Sequence, residues 1–478
     1  MLVLALLLPA LLGLTISWLI VADLATLERL GLSYALGFGF LTLVMFLLNV
    51  LGAKFSLFNT TIVVLAISGG LLVLLRRRNW PGLLRSKTQN AFRRMKEIVS
   101  SFSLFEGILI ALVIFFVLSS LVISVYWPVW WSDSLTCYDL RAKLFHEAES
   151  FPGAMSMLRD RVLRENYGFY VFERPPMTSL VHTWLYLCGW SNPKVFYPLL
   201  LLSLALIFYH SLKGHVKRYH ALLFTLILVT TPYMYFHTTN SYTNFTFAFY
   251  FSVAGFYLYR WVLREKMGLL VLSGVFMGLA SWTRKESTIF FLGYLIILLF
   301  FSISRRRFSA PLIFCLLYFS IAPLWDVYAR VVFHFMRAGS PGAISGIPAI
   351  LTTAGSLLDI VRWRDVLIFF WKDVLTWVRI VFYLLIFTTL IYIERVRRHL
   401  FLFLMVVFNI VLFLVGTYLT TLTDGFAGSV GSARRLVLMF LPTIWYFVAF
   451  ITAESRFLNT QTEPSISTVG VDSSPTGR

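Results

Sequence analysis

The stretch WWSDSLTCYDLRAKLF (130–145) follows a long apolar run and carries two carboxylates, Asp133 and Asp139, and two cations, Arg141 and Lys143. A carboxylate partly withdrawn from water can take the proton of an attacking hydroxyl as a general base. Asp133, between Trp131 and Leu135, is the first candidate for that work, and Asp139 is the second. Other readings stay open: Ser132 or Asp133 would also serve as an N-cap for a following helix, and Asp139 could simply partner Arg141 or Lys143.

Three further stretches hold charge where an apolar chain should not. ENYGFYVFERPPMTSLVHTW (165–184) sets Arg174 before Pro175-Pro176, which cannot continue a helix and forces an extended approach or a re-entering loop. SWTRKES (281–287) puts Arg284, Lys285 and Glu286 between two apolar segments. Charge at membrane depth is costly and is usually functional or paired. Arg offers a planar fork to a phosphate and Lys a point charge, whereas Glu286 could do no more than neutralise a cation in a turn. GSVGSARRLVLMFLP (428–442) opens an apolar segment with Arg434 and Arg435. These either snorkel to the interface or add phosphate contacts, with a flexible GFAGSVGS lead-in and a helix N-terminus that favours an anion. Asn240, Tyr242 and Asn244 are weaker candidates for sugar hydroxyls. His146, His182, His237 and His334 have no metal-ligand spacing, and no Gly-rich nucleotide loop is present. The three cysteines read as ordinary thiols, with a Cys137–Cys188 disulfide as the one alternative.

These groups need elements to hold them. Of 478 residues, 59% are hydrophobic and 13% charged, and the mean hydropathy is +0.80. A soluble domain has roughly 45–50% apolar and about 25% charged residues, so the pattern predicts an all-α polytopic membrane protein. A span needs about 20 apolar residues. Candidates fall near 2–22, 32–52, 57–75, 104–125, 194–212, 220–236, 242–260, 268–281, 287–303, 308–328, 376–393, 400–421 and 436–453. That gives thirteen as the best number within a range of 11–14. The first run lacks a basic n-region and reads as a retained span rather than a signal peptide.

The net charge of +19 points to cytoplasmic loops rather than to nucleic acid. Residues 76–96 hold eight Lys/Arg and no acid, and 213–218, 305–307 and 395–398 are also basic. With all four inside, the spans alternate, the N-terminus lies outside and the C-terminus inside. Residues 126–193, 237–241, 282–286, 329–375 and 422–435 then face outward. The long outer loop 126–193, after the fourth span, is expected to carry membrane-parallel helices. The chain divides into a three-span extension and basic loop (1–99), a transmembrane core (100–453) and a Ser/Thr/Pro-rich tail (454–478) that reads as disordered.

The arrangement resembles the C-type (GT-C) membrane glycosyltransferases, which include protein O-mannosyltransferases and lipid A aminoarabinose transferases. Asp133, Tyr138, Ala142 and Lys143 match the pattern D-x-x-x-x-(Y/W)-x-x-(R/K)-A-K of their first outer loop. ERPPMTSLVHTW resembles a Y-P-P-L segment, with Arg174 at the Tyr position. GLASWTRKES resembles G-L-A-x-x-T-K/R-x-E, and RRLVLMFLP resembles R-Y-x-x-x-x-x-P with Arg435 in place of Tyr. The likeness covers about residues 100–445; the first three spans have no counterpart, and a second acid, Asp139 or Glu173, is not clearly matched.

The resemblance implies inverting transfer of a sugar from a polyprenyl-phosphate donor to an extracytoplasmic acceptor at the cell membrane. Asp133 would be the base. Arg284, Lys285, Arg434 and Arg435 would bind the donor phosphate, and Tyr138, Lys143, Arg174 and Glu286 would contact substrate. No cofactor is implied, and the lack of a DxD signature disfavours a divalent metal. The rivals are a transporter of lipid-linked sugars, which would show inverted repeats; a glycan ligase or polymerase, using His334, Arg337, Arg362 and Arg364; and a non-catalytic scaffold.

Overall fold

Apolar runs bounded by Pro, Gly and charge clusters satisfy their backbone groups internally only as helices when no water is at hand. In the computed structural model of the chain, every regular element among the described residues is helical. The structure describes residues 1–77, 102–131, 133–162, 171–333 and 359–453. Ser132, most of the basic loop 76–96, His334, Arg337 and the tail 454–478 lie outside the described residues.

Nine of the described helices are long and apolar enough to cross a membrane, or up to eleven when each of two bent pairs counts as one span. The chain is a multi-pass membrane protein. The bends have local causes. Arg218–Thr230 and Pro232–Thr238 meet at 63°, where Pro232 has no N–H to continue the ladder. Ile360–Val374 and Arg379–Ile391 meet at 118°, at a turn just past the π-helical end Phe370–Val374 of the first. Thr243–Arg264 is buried nearly throughout, and its neighbour Met267–Thr283 is short and apolar.

The first two helices pack in the same core as the later ones. Leu2–Ile20 and Thr26–Val50 cross closely because two glycines meet backbone: a Cβ on Gly13 would stand 1.9 Å from the Ser33 carbonyl oxygen, and one on Gly37 1.9 Å from that of Pro9. Small residues at such crossings let helices approach. Later helices tie in by hydrogen bonds. Trp184 Nε1 donates to the Ala5 carbonyl at 2.9 Å, Tyr250 Oη to that of Ala35 at 2.7 Å, and Trp282 Nε1 to Thr42 Oγ1 at 3.1 Å. Leu57–Arg77 packs at the edge of this group, mainly against Leu2–Ile20, with little of it buried.

Charged contacts collect at the two ends of the bundle. At one end, Lys266 meets Asp23, Arg260 meets the buried Glu28, Arg218 meets Glu106, and Arg305 and Arg307 meet Glu265. At the other end stand Lys54 with Glu149, Asp133 with Arg435 and Arg284 with Glu286. The long connection after Leu104–Tyr126 lies at this second end. It holds a π-helical turn, Ser134–Asp139, and the short helices Leu140–Ala148, Phe151–Val162 and Met177–Leu187. It is pinned to the end of Thr26–Val50: Phe55 N donates to the Glu149 carbonyl, Phe151 N donates to Asn49 Oδ1, and the rings of Phe55, Phe145 and Phe151 pack together.

The GFAGSVGS stretch differs from the flexible lead-in expected of it. Helix Leu400–Leu436 is broken only at Gly425, with φ +68° and ψ 174°, and resumes at once. That backbone region is open essentially to glycine alone. The small residues beyond it raise no barrier to a new helix. Ser429 Oγ turns back to the Gly425 carbonyl at 2.8 Å.

Candidate functional site

Asp133 immediately precedes the π-helical turn, and its side chain caps nothing. It accepts a hydrogen bond from Arg435 Nη1 instead, in a contact that joins residues 302 positions apart. Arg435 is steadied by the Gly431 carbonyl at 3.2 Å and lies over the Tyr242 ring, 5.4 Å from its centroid. Tyr242, Cys137 and Tyr138 form a small apolar floor with Trp131 against it. The pair is half-buried, with 30% of Arg435 and 19% of Asp133 accessible.

Arg174 reaches the same floor from the double-proline segment, donating to Tyr138 Oη at 3.0 Å. Proline leaves its neighbours' carbonyls without a local N–H, and Arg141 answers them. Wholly buried, it donates to the carbonyls of Val171 at 3.0 Å, Arg174 at 2.6 Å and Pro175 at 2.9 Å, and to Ser179 Oγ at 2.8 Å. Arg141 therefore braces the loop and is not the partner of Asp139.

Asp139 has other company. Its carboxylate accepts from Tyr186 Oη and pairs with Lys143 Nζ at 3.0 Å. His182 Nδ1 stands 3.7 Å away, and His182 Nε2 meets Tyr197 Oη at 3.0 Å. Burial pushes the Asp139 carboxyl up, but His182, Tyr186 and Lys143 outweigh it and hold it at about 2. With 2% of its side chain accessible, Asp139 anchors the turn that follows Asp133, and Lys143 is engaged there too.

Arg284 donates to Glu286 at 2.5 Å and also to Asn244 Oδ1. Burial would lower the guanidinium, yet the Glu286 charge raises it. Desolvation likewise pushes Glu286 up, and Arg284 overrides it, holding the carboxyl at about 2. The charge of Arg174 is felt at both groups. Lys285 turns the other way, to Asp326 at 2.9 Å and Glu173 at 3.7 Å. A chain of hydroxyls ties the three helix ends together: Thr178 Oγ1 donates to Thr243 Oγ1 at 3.1 Å, which donates to the Thr283 carbonyl at 3.2 Å.

The four charged stretches thus converge. Arg284 with Glu286 and Asn244 feels Arg174, Arg174 meets Tyr138, and the Tyr138–Tyr242 floor joins these to the Asp133–Arg435 pair. Arg434 is the exception: its Nε donates to the Asp373 carbonyl at 2.6 Å, toward the Phe370–Val374 turn. An apolar groove of about 830 Å³ opens beside that turn, lined by Leu367, Phe370, Trp371, Lys372 and Leu414 among others. Sequence reasoning missed Asp326, whose only signal is a lone acid within a long apolar stretch, and gave Tyr242 and Asn244 too little weight. Cys137 and Cys188 are free thiols. Among the described residues no group of three or more His, Cys, Asp or Glu side chains is gathered to hold a metal.

Chemically, the cluster offers a half-buried carboxylate beside fixed guanidinium groups, a layout that suits proton removal next to a developing or leaving anion. The chain matches no protein-family model, no curated protein and no solved structure.

Proposed function

We propose that the protein is a membrane glycosyltransferase of the C-type architecture, moving a sugar with inversion from a polyprenyl-phosphate carrier to an extracytoplasmic hydroxyl. The observation that carries this reading is the convergence of Asp133, Arg174, Arg284 and Arg435, from four stretches far apart in sequence, at the end of the bundle away from the basic loops. In this reading thirteen segments cross the cell membrane, the basic clusters lie in the cytoplasm and the cluster faces out.

Asp133 accepts the proton of the acceptor hydroxyl as its oxygen bonds to the anomeric carbon. The bond from that carbon to the phosphate oxygen breaks, and polyprenyl phosphate leaves with its charge met by Arg435 and Arg284. Arg174 and Tyr138 line the path between them. Lys285 and Arg434 are the outer cations, with Lys285 paired to Asp326 and near Glu173. No step requires a metal.

The test is release of polyprenyl phosphate from radiolabelled polyprenyl-phosphate sugars by purified protein, with cell-envelope material as acceptor. Asp133→Asn should lower turnover by about 10²–10⁴-fold, the share of a positioned base. Equal turnover in both proteins would remove Asp133 from that role. No release from any such donor would sink the transferase reading and leave a transporter or glycan ligase in its place.

A further inference from the structure

We infer that Arg435 is a positioning residue that holds Asp133 out of action until the phosphate of a lipid-borne ligand takes its place, so that the carrier must bind before the acceptor. This rests on the reading of the cluster as a lipid-phosphate site.

Three cations of the cluster are each answered by a carboxylate. Arg284 has Glu286, Lys285 has Asp326 with Glu173 nearby, and Arg435 has Asp133. The three pairs are not equal. Arg284 also bonds Asn244, and its acid lies two residues away in the same turn. Lys285 sits between two acids. Among the described residues Arg435 has one carboxylate, brought from a segment 302 residues distant. Its other contacts are a helix carbonyl and the face of Tyr242, both of which it can keep while its outer nitrogens change partner. The helix that carries it starts at the Gly425 break, where a Cβ would meet nothing within 4 Å. The break itself is therefore not wedged against a neighbour, which leaves room there for a small shift.

An Asp133 oxygen occupied by a guanidinium N–H is not offered to a substrate hydroxyl. A phosphate presents several oxygens to the same planar fork and forms two parallel bonds where Asp133 makes one. Exchange leaves Arg435 charge-matched and Asp133 unmasked. The new phosphate contact and the freed base then sit side by side, where transfer needs them.

The experiment uses full-length protein in detergent with farnesyl phosphate as probe and farnesol as the phosphate-free control. Saturable binding is followed by isothermal titration, and access to Asp133 by carbodiimide–amine labelling read by peptide mass spectrometry. Farnesyl phosphate should raise Asp133 labelling about fivefold, the factor contributed by an ion pair of this exposure, and farnesol should not. Arg435→Gln, checked for an unchanged melting curve, should label without any ligand. Saturable binding with unchanged labelling overturns the exchange while the lipid-phosphate reading stands. Absence of saturable binding overturns both. Labelling in Arg435→Gln as low as in the unliganded wild type also overturns the exchange, and the wild-type ligand comparison needs no variant.

Discussion

Asp133 precedes a π-helical turn and Asp139 closes it, and exposure separates their uses. Asp133 keeps 19% of its side chain accessible and, among the described residues, meets a single cation. Asp139 keeps 2% and meets Tyr186, Lys143 and His182. Removing the buried carboxylate leaves the Tyr186 hydroxyl without its acceptor, which costs about 1–3 kcal/mol. Asp139→Ala should therefore lower the melting temperature far more than Asp133→Ala. The pH response follows the same logic. The folded-state Asp139 carboxyl, at about 2, lies below the unfolded value of about 3.9. Its contribution is full above about pH 4 and is lost as pH falls toward 2. Melting curves of wild type and Asp139→Asn should differ above pH 4 and draw together below it; a constant gap down to pH 2 would contradict the assignment.

Helices set where these side chains can reach. Arg435 meets Asp133 because its helix restarts at Gly425 in a conformation that a side chain rarely adopts. Gly425→Ala should cost about 1–3 kcal/mol in backbone strain alone, since no neighbour would be crowded, and it should weaken lipid-phosphate binding together with the melting temperature. The crossing of Leu2–Ile20 with Thr26–Val50 is limited by space rather than dihedral freedom. Gly37→Val drives a side chain into the Pro9 carbonyl and should sharply lower the yield of folded protein, whereas Gly69→Val, where a Cβ meets nothing within 4 Å, should not.

For the molecule as a whole, the basic end and the Asp133 end are the two faces to be assigned to sides of a membrane. A cysteine placed at Arg397 should react with an impermeant maleimide only after the cells are opened, and one at Lys54 should react in intact cells; the reverse pattern would invert the topology. The basic end also holds the ion pair of Glu28 with Arg260, both about 4% accessible or less, with Tyr257 donating to the same carboxylate. Breaking a buried pair from one side costs about 3–5 kcal/mol. Arg260→Ala should accordingly melt well below wild type in detergent, although it lies at the opposite end from the candidate site.

The sequence by itself determined the helical, membrane-embedded character of the chain, because unbroken apolar runs of this length admit no other way to satisfy the backbone. It also marked Asp133, Arg174, Arg284 and Arg435, since charge in such a chain is costly enough to stand out. Only the tertiary structure decided the pairings. Asp133 meets Arg435 across 302 residues, Arg141 serves proline carbonyls instead of Asp139, and Arg434 turns away to Asp373. The first two helices belong to the same core as the rest. Hydropathy is a property of a window of neighbouring residues, whereas an ion pair depends on which helix ends meet. That is fixed by close crossings such as Gly13 with Gly37, and by one break at Gly425, none of which a local pattern records.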